Sequence, residues 1–109
     1  MGKFTATMGK GVYLEFDNGY VISAQWGYMN YCENYMKSEK DLIGKRPSEI
    51  RLESETCEIA IWDKNGEWIT KDILRELGEE EIYDDVLGYV TMNKFLKIVN
   101  YLNEKGEEC

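Results

Sequence analysis

The side chains best suited to binding chemistry lie close together in the stretch QWGYMNYC, which begins at Gln25. Three aromatic side chains in it offer faces on which a base or another adenine-like ring could stack. Two amide side chains add groups that donate and accept hydrogen bonds. We call residues 26–32 the aromatic loop and predict that it binds a ligand. The alternative is that these aromatic side chains cover the open end of a small core.

The segment that follows, residues 37–51, is locally basic although the whole chain carries a net charge of −8. Cations beside an aromatic loop would hold the negative charge of a nucleotide-like or phosphorylated ligand. A solvated charged loop has the same composition, so both interpretations stay open. The predicted ligand-binding residues of these two segments are Gln25, Trp26, Tyr28, Asn30, Tyr31, Lys45 and Arg46.

A second charged segment, residues 76–85, carries six carboxylates and is called the acidic run below. It could dock onto a basic protein surface, or it could be a solvated charged segment. Its spacing does not match the calcium-binding loop of an EF-hand. We therefore predict no metal site there.

The chain contains no histidine, which removes the Ser-His and Cys-His nucleophile pairs and most transition-metal sites. No phosphate-binding loop or nucleophile elbow is present either. The three cysteines include no CxxC pair, and Cys32 and Cys57 lie in apolar stretches that predict structural thiols. The sequence thus predicts a protein that is not an enzyme, with no catalytic residue, no cofactor and no metal.

Length and charge narrow the class of protein further. A chain of 109 residues fits a single domain over residues 1–109. Its acidity argues against binding duplex nucleic acid, which requires lysine and arginine. No apolar run approaches the roughly 20 residues that span a bilayer, and no signal peptide is evident. We expect a cytoplasmic protein without membrane contact.

Alternating apolar residues predict a three-strand antiparallel meander over residues 3–8, 12–16 and 20–26. Three-residue loops at 9–11 and 17–19 place Phe4, Leu14 and Ile22 on one apolar face. The opposite face is mostly polar, although Tyr13 and Val21 add apolar area to it. Residues 27–54 are expected to be mostly loop.

A second hairpin is predicted over residues 56–63 and 67–69, with Trp62 opposite Trp68. Thr70 is the expected N-cap of a helix at 71–77 that ends at Gly78, and residues 86–90 are a candidate strand. Thr91 is the expected N-cap of the clearest helix, residues 92–103, whose apolar stripe is typical of a helix packed on a sheet. The predicted fold is α+β, an antiparallel sheet of about five strands with a C-terminal helix on one face.

Three blocks carry a resemblance: NGYVISAQWGYMNYC at residues 18–32, CEIAIWDKNG at 57–66 and DDVLGYV at 84–90. Together they resemble small uncharacterised proteins of tailed bacteriophages. The resemblance does not extend to residues 36–54, and it transfers no catalytic residue. It implies a phage accessory protein in a bacterial cytoplasm, of the kind that inhibits host defence.

Two functions are compatible with these observations. In the first, the aromatic loop sequesters a nucleotide-like defence signal. In the second, the acidic run blocks a basic surface of a host effector protein. We also expect a homo-oligomer, most simply a dimer, because the predicted sheet has open edges and Tyr13, Trp62 and Trp68 add exposed apolar area. The competing view is a monomer in which residues 36–54 cover the open edge and the aromatic side chains.

Overall fold

The structure, a computed structural model, describes residues 2–7, 11–27, 32, 53–79 and 84–105. Five strands form one antiparallel sheet whose spatial order is the order along the chain. The elements are β1 (Lys3–Ala6), β2 (Gly11–Glu15), β3 (Val21–Gln25), β4 (Thr56–Trp62), α1 (Thr70–Glu76), β5 (Leu87–Thr91) and α2 (Met92–Lys105). The predicted α+β architecture is confirmed.

The register between β2 and β3 is the predicted one, whereas β1 lies two residues away from its predicted position along β2. The loop predicted at 9–11 would place Phe4 opposite Phe16, but the Thr7 N–H bonds to the carbonyl of Gly11, the first residue of β2. A shift of two residues leaves the predicted faces unchanged. Phe4 pairs with Leu14, Leu14 pairs with Ile22, and Ile22 pairs in turn with Ile61 of β4. Because side chains alternate between the two faces of a strand, these residues share one face. The helices do not cover that face at its first strand, since every residue of β1 is exposed.

The loops after β2 and after β4 have the same geometry. Each is closed at its base by a backbone hydrogen bond of 2.9 Å, and each has a glycine at its third position. Gly19 and Gly66 have φ values of 93° and 81°, which are favourable only for glycine. Beyond the second loop Trp68 pairs with Trp62, as predicted.

The edge of β4 is shared by two segments. Residues 67–69 were expected to form a strand but contribute an isolated Trp62–Trp68 bridge, flanked by two backbone hydrogen bonds. These run from the Asp63 N–H to the Glu67 carbonyl and from the Ile69 N–H to the Ile61 carbonyl. The fifth strand is instead β5, at the place of the candidate strand 86–90. The hairpin prediction was therefore right in register and wrong in the length of its second strand.

Helix α1 begins one residue earlier than predicted, and its N-cap is Ile69. Thr70 was expected to be the cap, but its buried hydroxyl instead accepts a hydrogen bond of 2.9 Å from the N–H of Ile61 in β4. The last helical residue, Glu76, is also one earlier than predicted, and Gly78 follows the C-cap residue Leu77 as the predicted terminating glycine. There the Gly78 and Glu79 N–H groups bond back to carbonyls of the last turn, the arrangement known as a Schellman motif.

Helix α2 begins at the predicted cap, because the Thr91 hydroxyl accepts a hydrogen bond from the Lys94 N–H at 3.4 Å. Ile98 and Leu102 of its stripe are fully buried, whereas Met92 at its first position is 65% exposed. Both helices pack on the same face of the sheet, where their buried residues form one cluster. The cluster consists of Ile22, Ile59, Ile61, Ile73, Leu74, Val90, Ile98 and Leu102. Among the described residues, neither helix has the length and apolar character needed to cross a bilayer.

Candidate functional site

A cavity of about 540 Å³ lies where β3 ends, β4 begins, β5 ends and α2 begins. Antiparallel pairing brings these positions to the same end of the sheet, although they come from three separate stretches of the chain. The lining residues are Ala24, Trp26, Glu53, Ser54, Glu55, Thr56, Cys57, Val90, Thr91, Met92 and Phe95. We call this space the sheet-end cavity.

The sheet-end cavity combines apolar walls with polar residues from the segment before β4. Ala24, Val90 and Phe95 belong to the core face or pack against it, and Trp26 adds a half-buried indole. The polar residues include two carboxylates and three hydroxyls. The Ser54 hydroxyl is held within its own turn, where it donates to the Thr56 carbonyl at 2.5 Å. Such a lining suits a flat apolar group whose edge carries a few hydrogen-bonding atoms.

Two of the predicted ligand-binding residues lie in the described part of the chain, and they occupy different places. Trp26 lines the sheet-end cavity. Gln25 lies on the opposite face of the sheet, where its side-chain oxygen accepts from the Thr7 hydroxyl at 3.0 Å and its amide donates to the Ser23 hydroxyl at 3.2 Å. The other five, Tyr28, Asn30, Tyr31, Lys45 and Arg46, lie outside the described residues.

Sequence reasoning missed the contribution of α2 to this site. Met92 and Phe95 were assigned to the stripe that packs on the sheet, yet both line the cavity. One signal was available, since a helix that begins directly after strand β5 places its first turn at the end of the sheet. Glu53 and Glu55 carried no signal, because they lie at the end of a charged segment without periodicity.

Cys32 and Cys57, which were predicted to be structural thiols, are buried and partly buried respectively. Cys32 is 1% exposed, and its thiol lies 3.9 Å from the carbonyl of Gly27. Burial, with smaller effects from the nearby Cys32 and Glu58, raises the pKa of the Cys57 thiol to about 11. Cys57 therefore stays protonated near neutral pH, where a thiol is a poor nucleophile and a poor metal ligand. The described residues contain no group of three or more acidic or cysteine side chains arranged to hold a metal.

Part of the acidic run joins the two helices. Glu76 accepts hydrogen bonds from the Lys105 ammonium at 2.6 Å and from the Tyr101 hydroxyl at 2.7 Å. These bonds, that from Lys105 above all, hold the pKa of Glu76 below its usual value. Glu79 forms an ion pair with Lys94. These two carboxylates thus have lysine partners within the chain.

The face opposite the helices carries an aromatic cluster across β2 and β4. The ring of Trp62 makes edge contacts with Tyr13 at 5.9 Å and with Trp68 at 4.7 Å between centroids. Tyr13 and Trp68 remain 41% and 51% exposed. The rings cover one another in part, so this face is less open than the sequence suggested.

In comparisons with known proteins, no protein-family model matches the chain, and no curated protein or solved structure matches it significantly.

Proposed function

We propose that this protein is a non-enzymatic binding protein that holds a small nucleotide-like ligand with its base in the sheet-end cavity. The observation that carries the proposal is the cavity itself, which is lined by Trp26 and by the first turn of α2. Its volume of about 540 Å³ falls within the range of roughly 300–1,000 Å³ that is usual for small-molecule sites. As a phage accessory protein in a bacterial cytoplasm, it would act by sequestering a defence signal.

The charges around the cavity orient the proposed ligand. Glu53 and Glu55 belong to the lining and repel phosphate groups. A base bound against Trp26 and Phe95 would therefore direct its phosphates away from these two carboxylates. Stacking of one base on an aromatic side chain contributes about 1–3 kcal/mol, which is enough for micromolar affinity only when other contacts add to it.

Thermal unfolding in the presence of nucleosides, linear nucleotides and cyclic nucleotides tests the proposal. A ligand at 100 times its dissociation constant adds about 2.7 kcal/mol to the free energy of unfolding. For a chain of this length that corresponds to a rise in Tm of about 10 °C. The proposal is wrong if no compound of these three classes raises Tm.

Helix α2 supplies a matched pair of variants for locating the ligand. Met92 and Leu96 are both exposed apolar residues, one turn apart, and Met92 lines the cavity whereas Leu96 does not. We expect Met92→Ala to weaken binding severalfold and Leu96→Ala to leave it unchanged. Equal effects of the two variants would place the ligand elsewhere.

Fluorescence gives a second, independent readout. The chain has three tryptophans, and Trp62 and Trp68 lie in the aromatic cluster. A variant with Trp62→Phe and Trp68→Phe leaves Trp26 as the sole indole, and a stacked base should quench it. Unchanged Trp26 emission at a saturating concentration of a ligand that raises Tm would exclude binding against this residue.

The alternative, docking of the acidic run onto a basic effector protein, has less support. Glu76 and Glu79 are already paired with lysines of α2, which reduces the negative charge that this segment offers to a partner. Recovery of one bacterial protein by the wild-type chain, lost when Asp84 and Asp85 are changed to Asn, would favour this alternative.

A further inference from the structure

Within the part of the chain that the structure describes, β1 and β5 are the two edge strands of the sheet, and they differ in regularity. At one edge, β5 contains Tyr89 with a φ of 53°, and its pairing with β4 shifts register between Cys57 and Ile59. Such irregularity prevents another strand from pairing along an edge. At the other edge, β1 pairs with β2 without any shift. Of these two described edges, the one at β1 has the regular geometry that a further strand requires.

The hydrogen-bond pattern shows which groups of β1 face outward. The Thr7 N–H bonds to the Gly11 carbonyl at 2.9 Å, so Thr7 and Gly11 form a hydrogen-bonded pair. In an antiparallel ladder such pairs alternate, so Thr5 and Lys3 also direct their backbone groups toward β2. The N–H and C=O groups of Phe4 and Ala6 therefore point away from β2, toward the open edge.

The side chains of β1 are also uncovered. All four of its residues are exposed, and Phe4, on the face that elsewhere packs against the helices, is 84% exposed. Covering a side chain as exposed as Phe4 is favourable, because it removes apolar area from water. Among the described residues, the edge of β1 thus offers both outward backbone groups and exposed apolar area.

The distribution of charge indicates what could pair with this edge. The chain has 21 acidic residues, and all of them lie at position 15 or later. The first 14 residues carry two lysines and no acidic residue. A second copy, which is also acidic overall, could therefore approach along β1 without bringing carboxylates of the two edge strands together.

We propose that two copies of this chain pair through β1 in an antiparallel, twofold-symmetric arrangement with Thr5 on the axis. In this register Phe4 is opposite Ala6 of the second copy, and Ala6 is opposite its Phe4. The outward backbone groups of these residues then form four hydrogen bonds, and the two sheets become one sheet of ten strands. Phe4 packs over Ala6 of the second copy, and the two Thr5 residues meet as a cross-strand pair. The proposal is independent of the ligand proposed above.

The first test is the mass in solution by light scattering after size exclusion, over about 1 to 300 µM protein. We expect a mass near twice 12.7 kDa at the higher concentrations. Ala6→Pro removes an outward N–H while sparing the bonds to β2, as proline permits on an edge strand. It should raise the dissociation constant about tenfold or more, because two of the four hydrogen bonds are lost by symmetry. Phe4→Ala should also weaken the dimer, whereas Leu96→Ala, which removes another exposed apolar side chain, should not.

The second test reads the register directly and does not depend on stability. With Cys109 replaced by Ser, a Thr5→Cys variant should form a disulfide-linked dimer on oxidation. Thr5 forms a non-hydrogen-bonded pair across the axis, where Cα atoms are about 4.5 Å apart and a disulfide can form. Lys3→Cys in the same background should not cross-link, since the two copies of residue 3 are separated by about 13 Å along the strands.

A monomer mass at the highest concentration would overturn the proposal. So would a dimer that resists both Ala6→Pro and Phe4→Ala, or cross-linking through residue 3 in place of residue 5. Circular dichroism of each variant, with the wild-type spectrum as reference, shows whether a lost dimer reflects a lost fold. If Ala6→Pro unfolds the chain, Phe4→Ala and the cysteine pair decide the question.

Discussion

The contact between Asn18 and the end of α2 yields the sharpest prediction for stability. The Asn18 side-chain amide donates to the carbonyl of Leu102 at 2.7 Å and to that of Asn103 at 3.3 Å. Both carbonyls belong to the last four residues of α2, the positions at which helix carbonyls accept from groups outside the helix. A loop residue therefore caps a helix that lies 84 positions away in sequence.

The expected cost follows from these bonds. A net contribution of about 1 kcal/mol is usual for a protein hydrogen bond, and less is expected for the longer, exposed one. Asn18→Ala also removes the side-chain oxygen that accepts from the Tyr20 N–H at 3.2 Å. We expect the free energy of unfolding to fall by about 1.5–2 kcal/mol, which lowers Tm by about 6–8 °C.

The second hairpin loop provides a matched control. Asn65 occupies the same position in a loop of the same geometry, is exposed, and has no helix end beside its side chain among the described residues. Asn65→Ala should cost about 0.5 kcal/mol or less, since it changes only local turn preference. Asn18→Asp separates the two roles of the side chain, because it keeps the acceptor for Tyr20 and loses the donor. At neutral pH it should cost at least as much as Asn18→Ala, since a carboxylate would face the negative end of the helix dipole.

Urea unfolding at pH 7, followed by circular dichroism, measures all of these variants under one condition. Equal losses for Asn18→Ala and Asn65→Ala would show that the capping contact contributes nothing to stability. An Asn18→Asp variant as stable as the wild type would refute the assignment of the amide as donor.

Three further predictions rest on single contacts. Gly19→Ala should lower the free energy of unfolding in urea more than Gly66→Ala does. Both glycines have a positive φ, but of the two only Gly19 has a neighbour that an added Cβ would meet, the Lys64 side chain at 2.7 Å. Equal losses for the two variants would contradict this. Thr70→Val should cost about 1–3 kcal/mol by leaving the Ile61 N–H buried without its acceptor, whereas Thr70→Ser should recover most of that loss. Burial raises the pKa of Cys57 in the folded state from its ordinary value of 9.0 to about 11. The free energy of unfolding therefore keeps the whole contribution of this protonated thiol below pH 9, and loses it as the pH rises from about 9 to about 11. Cys57→Ala should flatten that part of the stability profile, and an unchanged slope would show that this thiol does not cause it.

Local signals predicted the elements that depend on local chemistry. Gly19 indicated the register between β2 and β3, because only a three-residue loop at 17–19 places Leu14 and Ile22 on one face. The loop predicted at 9–11 was two residues out of register, since Gly11 begins β2 instead of closing the loop. Gly78 and Thr91 marked a helix end and a helix start through capping preferences that act within a few residues. The structure confirms these positions.

Features that depend on distant contacts were not predictable in this way. Thr70 has the residue type of a cap, but its hydroxyl accepts a hydrogen bond from the buried N–H of Ile61 instead. Nothing nearby in the sequence indicates this contact. Asn18 has the residue type of a turn, and local turn preferences do not predict its hydrogen bond to α2. The sheet-end cavity combines β3, β4, β5 and α2, so no single stretch of sequence carries its pattern.

The two ends of α2 have different surroundings, and this separates stability from the proposed binding. Its C-terminal end is held by Asn18 and by Glu76, which bonds to Lys105. Its N-terminal end contributes Met92, 65% exposed, to the sheet-end cavity. Removing a contact at the C-terminal end should therefore lower Tm without changing ligand affinity. Met92→Ala should lower ligand affinity without changing Tm. Distant, unshared sites of this kind usually behave additively, so the double variant Asn18→Ala with Met92→Ala should show both effects in full. If affinity falls with Asn18→Ala as well, α2 moves as a rigid unit, and the position of its first turn depends on how its far end is held.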